Sequence, residues 1–405
     1  MKQKKQRSKQ IRKVVLLVCL LVAAVVFLVS RYATNNTPES GSETKSPQHQ
    51  TTVAQPGKLR LIATGDMLPH DTVNQAARTS SGYDYRPLFS KVAPYLKDSD
   101  LSYCNQESPS DGQLEVSGYP TFNAPPAFAN NLSQLGCNII NLANNHANDR
   151  GQAGINATLD VWNKLPTLAV AGVAKNQTNH DSVAYFTAEG VRFAFLSYTQ
   201  CSNSKSVSSY GLNVFSKSFA GRQLTEARQH ADMIIAAMHS CDENRSNQDT
   251  WQDETAQFFA DQGVDIVIGT GPHWLQPVKQ LAKAGGGKTV VWFSLGNFLS
   301  SQLEVNGLIG GIAVMEIDIK SHSVTDIGFM PTYMHYEWTA AQAAREDLLA
   351  RHNLQLYPLD QASSAMALSQ NHTTVAAQTD RVTKLLNKFT KVTMLTSKTY
   401  THFGE

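Results

Sequence analysis

The sequence predicts an α/β domain carried behind a single N-terminal membrane helix. Three observations predict it. From Lys58 onward, strand-like apolar runs alternate with helical stretches. Several of those runs stop abruptly at Asp, Glu, Asn or His, as at Asn144-Asn145-His146, and in an open α/β sheet such strand ends gather at one edge, where ligands bind. An unbroken apolar run, Val14 to Ser30, follows a basic cluster.

The 405 residues and net charge of +2 do not limit the core. Seven Lys and Arg fall within Met1 to Lys13, so the remainder is mildly acidic, which argues against nucleic acid as a partner. Residues 1–13 read as a cytoplasmic basic tail and 14–30 as a single-pass membrane helix, with the globular part outside the cell membrane. At about 1.5 Å per residue the run covers roughly 25 Å, and Arg12, Lys13 and Arg31 can reach the headgroups. A cleaved signal peptide shares this layout, but the run is long for one and Arg31 interrupts the cleavage region. Residues 31–57, rich in Ser, Thr, Asn, Gln and Pro, read as a disordered linker. Residues 58–338 form the domain, and 339–405 read as a helical C-terminal extension.

Within the domain, strands are expected at Leu59 to Thr64, Asp100 to Cys104, Ile139 to Leu142, Met233 to Met238, Asp265 to Gly269 and Thr289 to Ser294. A hairpin is expected through Ala188-Glu189-Gly190, and a closing antiparallel pair from Ile309 to Ile319 and Val324 to Met334. Helices are expected at Tyr85 to Lys97, confined by Pro87 and Pro94, and at Ala127 to Leu135, Ala153 to Leu165, Ala220 to Asp232 and Thr250 to Gln262. Cys104 and Cys137, in or near apolar runs, read as buried thiols, whereas Cys201 and Cys241 read as a disulfide.

Singly, each polar strand end has an ordinary explanation: Asp66 caps a turn, Glu107 is solvated, a lone His makes a structural hydrogen bond. Jointly, Asp66, Glu107, Asn145, His239 and His273 each follow a predicted strand within a few residues. Carboxylate with imidazole is the ligand mixture of a hard or borderline divalent ion. Dispersed one per strand end, these residues can hold two ions about 4 Å apart with a carboxylate between them. His146 is then free to act as proton donor, with Asn144 and Asn297 as orienting groups.

Six motifs together resemble the bacterial CapA capsule-synthesis, or poly-γ-glutamate biosynthesis, family. They are Ala63-Thr64-Gly65-Asp66-Met67-Leu68, Asn105-Gln106-Glu107, Asn144-Asn145-His146, His239 with Glu243, Ile268-Gly269 through Pro272-His273-Trp274-Leu275-Gln276, and Phe293-Ser294-Leu295-Gly296-Asn297-Phe298. The family is similar in fold to calcineurin-like metallophosphoesterases. The resemblance, over about Leu59 to Met334, implies a four-layer α/β/β/α sandwich and a cleft for two divalent metal ions of the Mn, Fe, Zn or Mg class. It implies Asp66 and His273 on the first ion, Glu107 bridging, Asn145 and His239 on the second, and His146 as the catalytic imidazole. Three positions depart from the pattern. Thr270 and Gly271 stand where the family commonly has His before Pro-His, which removes a ligand from the second ion. Leu68 replaces the His of Asp-x-His, with His70 as a substitute. His239-Ser240-Cys241-Asp242-Glu243 keeps only the ends of His-Trp-Gly-x-Glu, which leaves Asp242 or Glu243 as compensating ligands.

Two functions follow as expectations: a metal-dependent hydrolase of a phosphoester or envelope polymer, or a non-catalytic tethered component of anionic-polymer assembly or export. Either implies the membrane and an anionic surface polymer or its synthesis machinery as partners. A nucleotidase-like enzyme is a weaker third, because no pair of aromatics marks a base-stacking pocket.

Overall fold

The computed structural model describes residues 57–205 and 208–404. The expected basic tail, membrane helix and all but the end of the linker lie outside the described residues. Among the described residues, no helix is long and apolar enough to cross a membrane.

The strands in chain order are β1 (Lys58–Met67), the short pair β2 (Arg78–Thr79) and β3 (Gly82–Tyr83), β4 (Leu101–Gln106), β5 (Ile139–Asn141), β6 (Ala169–Ala171), β7 (Ala184–Ala188), β8 (Val191–Thr199) and β9 (Met233–His239). They continue with β10 (Ile266–Thr270), β11 (Val278–Ala282), β12 (Lys288–Trp292), β13 (Asn297–Leu299), β14 (Ile309–Asp318), β15 (Ser323–Glu337), β16 (His352–Pro358) and β17 (Thr393–Met394). One sheet runs β16-β15-β14-β1-β4-β5-β6, with β13 beside β1 and β17 beside β15. The second runs β11-β12-β10-β9-β8-β7. Parallel strands form the site-bearing part of each: β1, β4, β5 and β6 in the first, and β8, β9, β10 and β12 in the second.

Side-chain alternation on β8 shows how the sheets stack. Phe193 and Phe195 join a core shared with β1, β4, β5 and β14. Ala194, Leu196 and Tyr198 point the other way, onto Phe219, Leu224 and Phe259 of helices Lys217–His230 and Thr250–Asp261. Helices Pro126–Gln134 and Gly151–Trp162 pack Phe128, Leu132 and Trp162 with the first sheet. The layers therefore run helix, sheet, sheet, helix. Strands buried on both faces need continuous apolar sequence, as in Met233-Ile-Ile-Ala-Ala-Met.

Local chemistry sets the connections. Asp249 and Gln252 form a capping box on helix Thr250–Asp261. Glu189 and Gly190 take φ of 47° and 81°, the primed turn that joins β7 to β8 as the sequence predicts. The predicted helix Tyr85 to Lys97 is instead a short turn at Arg86–Phe89 and a helix at Ala93–Lys97. Pro94 has no N–H for a continuous ladder and so sits in the first turn of a new helix.

Two expectations need correction. The segment 339–405 is not only helical: β16 extends the first sheet antiparallel to β15, and β17 adds to β15 in parallel. The alternation His352-Asn-Leu-Gln-Leu-Tyr-Pro358 is the local signal for that strand. Cys104 and Cys137 are not thiols but a disulfide, alongside the expected Cys201–Cys241 bond. Pairing of β4 with β5 brings those chain segments together, leaving the two Cα atoms 5.7 Å apart.

Candidate metal centre

Five strands deliver the site. Asp66 is near the end of β1, Glu107 follows β4, Asn145 lies beyond β5, His239 ends β9 and His273 lies beyond β10. Buried carboxylates need partners, and Asp66 has several. It accepts from Asn105 Nδ2 at 2.8 Å, from the Gly271 N–H at 3.1 Å on each oxygen, and pairs with His273 Nδ1 at 3.0 Å. Asp66, Glu107 and His273 offer ligand atoms within 4.8 Å of one another. On the other side of Glu107, His239 Nε2 lies 3.7 Å from Glu107 Oε1 and 3.0 Å from Asn145 Oδ1. Glu243 stands at the mouth, 3.9 Å from His273 Nε2 and 3.4 Å from Asn145 Nδ2.

Electrostatics sort these groups. Burial works against an ionised Asp66, but the hydrogen bond and charge of His273, the charge of His239 and the Gly271 N–H hold it below its ordinary value. Burial, then the charges of Asp66 and Glu243, pushes the Glu107 carboxyl well above the usual range. Burial pushes His239 down to about 3. For His273 burial also acts downward, and Asp66 outweighs it, so the imidazole is raised. Among the described residues Glu107 Oε1 is buried without a hydrogen-bond partner. An orphaned carboxylate oxygen beside imidazoles and a second carboxylate is a donor set that fits a divalent cation.

The remaining predicted residues divide. His146 Nδ1 pairs with Asp149 Oδ2 at 2.8 Å, and the Asn203 amide lies 3.3 Å from His146 Nε2. Asn144 is a scaffold: it donates to Gln106 O at 2.9 Å and accepts from the His146 N–H at 3.1 Å. Asn297 donates to Gly307 O at 3.0 Å, and its own N–H donates to His273 O at 3.0 Å. Asp242 turns away to an exposed pair with Arg245, so Glu243 is the residue of that pair facing the cluster. His70 accepts from the Ser301 N–H through Nδ1 at 3.3 Å.

Sequence reasoning missed Asp149, Asn105, Thr270 and Asn203. Asp149 had a signal, three residues beyond His146 on one turn. Thr270 had none: its Oγ1 pairs with His239 Nδ1 at 3.0 Å, so the position that lacks a histidine orients one. Gly271 also has a positive role. At φ 99° its N–H serves Asp66, and a Cβ would sit 2.0 Å from Ser240 O.

The family described as bacterial capsule synthesis protein PGA_cap matches residues 60–302, more than half of the chain. The chain belongs to the PGA_cap family. The capsule biosynthesis protein CapA of Bacillus anthracis is 27% identical over 263 residues, 60% of this chain and 60% of that protein. The PGA biosynthesis protein CapA of Bacillus subtilis (strain 168) is 27% identical over 225 residues, 53% and 57% respectively. The chain thus spans about 60% of the length of these curated relatives. Among solved structures, a phosphatase from Mycoplasma pneumoniae shares 14% identity at a TM-score of 0.42, over 68% of this chain and 93% of that one. Every clustered residue, from Asp66 to His273, falls inside the PGA_cap match, whereas β16 and the Arg351 that precedes it fall outside.

Proposed function

We propose that this PGA_cap protein is a membrane-anchored, extracytoplasmic hydrolase of metallophosphoesterase type, acting on a phosphoester or cell-envelope polymer during capsule or poly-γ-glutamate biosynthesis. The observation that carries the reading is the buried group Asp66, Glu107 and His273, with Glu107 Oε1 orphaned between it and His239. Asp66, His273 and Glu107 would hold a divalent ion, with Asn145 and His239 on the other side of Glu107 as the residues that would hold a second. Bound there, such ions polarise a phosphoryl oxygen and supply hydroxide near neutral pH. The chain's own residues do the rest. Asp149 fixes the His146 imidazole through Nδ1, which leaves Nε2, beside the Asn203 amide, as the nitrogen to serve a leaving group once Asn203 gives way, and Thr270 fixes the orientation of His239. The two disulfides support an oxidising, extracytoplasmic location, and the apolar run 14–30 behind its basic tail supports the single-pass anchor.

A second reading, a non-catalytic tethered component of polymer assembly or export, is favoured by one observation. The backbone at Gly271 leaves no room for the imidazole that the family commonly places beside Pro272. Metal content and phosphoesterase turnover of the purified chain, with Glu107→Ala and His146→Ala as controls, separate the two. Close to two equivalents of metal, lost in Glu107→Ala, with turnover lost in both variants, is the expected result. Stoichiometric metal without turnover on any phosphoester, and polymer production that survives both variants, supports the second reading instead.

A further inference from the structure

His70 lies three residues beyond the end of β1, and its charge state is sensitive to His273 and His146. The backbone N–H of Ser301 donates to its Nδ1 at 3.3 Å. A ring nitrogen that accepts a hydrogen bond carries no proton, so the neutral imidazole carries its proton on Nε2. Burial, with the charge of His273, pushes this imidazole down to about 3, which keeps it neutral at pH 7.

This tautomer conflicts with ligation. A histidine that binds a metal through one nitrogen donates the other N–H to an acceptor. Here Nδ1 meets a peptide donor. Binding a cation through Nε2 would put a proton on Nδ1, facing the Ser301 N–H, and the Nδ1 lone pair is already engaged.

Ser301 is itself held in place. Arg351, 6% exposed, donates to the Ser301 carbonyl, to Ser301 Oγ at 3.3 Å, to Thr72 Oγ1 at 2.9 Å and to Leu348 O at 2.9 Å. Its faces pack on Tyr336 and Trp338. All of those acceptors are neutral oxygens, so the buried guanidinium leaves a positive potential that reaches His70. Phe122 stands edge-on to both His70 and His146, at ring-centroid distances of 5.3 and 4.6 Å. Two imidazoles therefore flank one buried ring, each with its Nδ1 occupied by a different partner.

We infer that His70 is not a metal ligand but an anion-binding residue, whose Nε2–H donates to a phosphoryl oxygen of the substrate beside the metal cluster. The assignment rests on the proposed metallophosphoesterase reading for its substrate class.

The experiment uses the full-length chain in detergent, with inorganic phosphate as probe. His70→Phe and His70→Gln both keep the wild-type metal stoichiometry. His70→Phe weakens phosphate binding by the metal-loaded protein on the order of tenfold or more, while His70→Gln, which retains an N–H, stays within about threefold of wild type. Loss of a metal equivalent in either variant, or unchanged phosphate affinity in His70→Phe, overturns the assignment. Should the wild-type chain take up no metal, the hydrolase reading fails by itself, and the 15N-histidine spectrum still decides for His70. A proton on Nδ1 refutes the tautomer argument, and a proton on Nε2 upholds the exclusion of His70 as a ligand.

Discussion

Glu107 shows how a single buried residue carries information about the whole site. Burial and the neighbouring Asp66 and Glu243 charges push its carboxyl well above the usual range, whereas a ligand carboxylate must be ionised. Metal uptake therefore favours loss of the carboxyl proton, and affinity rises with pH. Calorimetric titration of the chelator-stripped protein in two buffers of different ionisation enthalpy is expected to show proton release on metal loading. Absence of proton release would mean that Glu107 does not bind the ion. His70 makes a second titration test, on stability. Its folded value of about 3 lies below the ordinary value of 6.5. Between those values the unfolded chain binds a proton that the folded chain does not, so this contribution is fully present above pH 6.5 and is lost as pH falls. Relative to metal-free wild type, His70→Asn is expected to lose about 1–2 kcal/mol less stability between pH 7 and pH 5. Denaturant unfolding at the two pH values measures the difference, and equal losses count against the neutral imidazole.

At the scale of elements, the loops beyond the strand ends hold the ligands apart and in register. Cys201–Cys241 ties the loop after β8 to the loop after β9, the first carrying Asn203 and the second Glu243. The bond closes 40 residues of chain, so Cys201→Ser with Cys241→Ser is expected to cost about 2–4 kcal/mol. The same variant should loosen Glu243 from Asn145 and so weaken metal binding. Thermal unfolding and metal titration on the one variant test both effects. Gly271 is the other element-scale device. Gly271→Ala places a Cβ against the Ser240 carbonyl in a backbone region that L residues avoid, with an expected loss of about 1–3 kcal/mol. A melting temperature unchanged by that substitution contradicts the close approach.

The molecule as a whole binds its C-terminal segment into the domain. Leu354, Leu356, Leu359, Met366, Val382, Leu386 and Tyr400 are buried in the same core cluster as β1 and β14. β16 covers the edge of β15 through pairs such as Tyr333 with Tyr357. A chain ending at Trp338 would expose that edge and one wall of the core. It is expected to aggregate or to lack a cooperative thermal transition, whereas the chain through Gly404 unfolds cooperatively. A soluble, cooperatively folding truncation would restore the reading of residues 339–405 as an appendage.

Much of this was legible in the order of residues. Short apolar runs mark β1, β4, β5, β8, β9, β10, β14 and β15, because apolar burial and the helical repeat that separates them are local properties of the chain. Abrupt polar stops mark Asp66, Glu107, Asn145, His239 and His273, because an ionisable group at a strand end needs a partner that bulk packing does not supply. Which groups meet was decided only by tertiary structure. β4 beside β5 makes a disulfide of Cys104 and Cys137, parallel pairing of β10 with β9 brings Thr270 to His239, and β16 returns to the first sheet after the short helix Ala340–Ala344. His70 is the clearest case. Its sequence neighbourhood suggests a substitute metal ligand, but the N–H that sets its tautomer belongs to Ser301, 231 residues away. Hydrogen bonds act over about 3 Å of space, so a partner that far along the chain leaves no mark on the residues beside it.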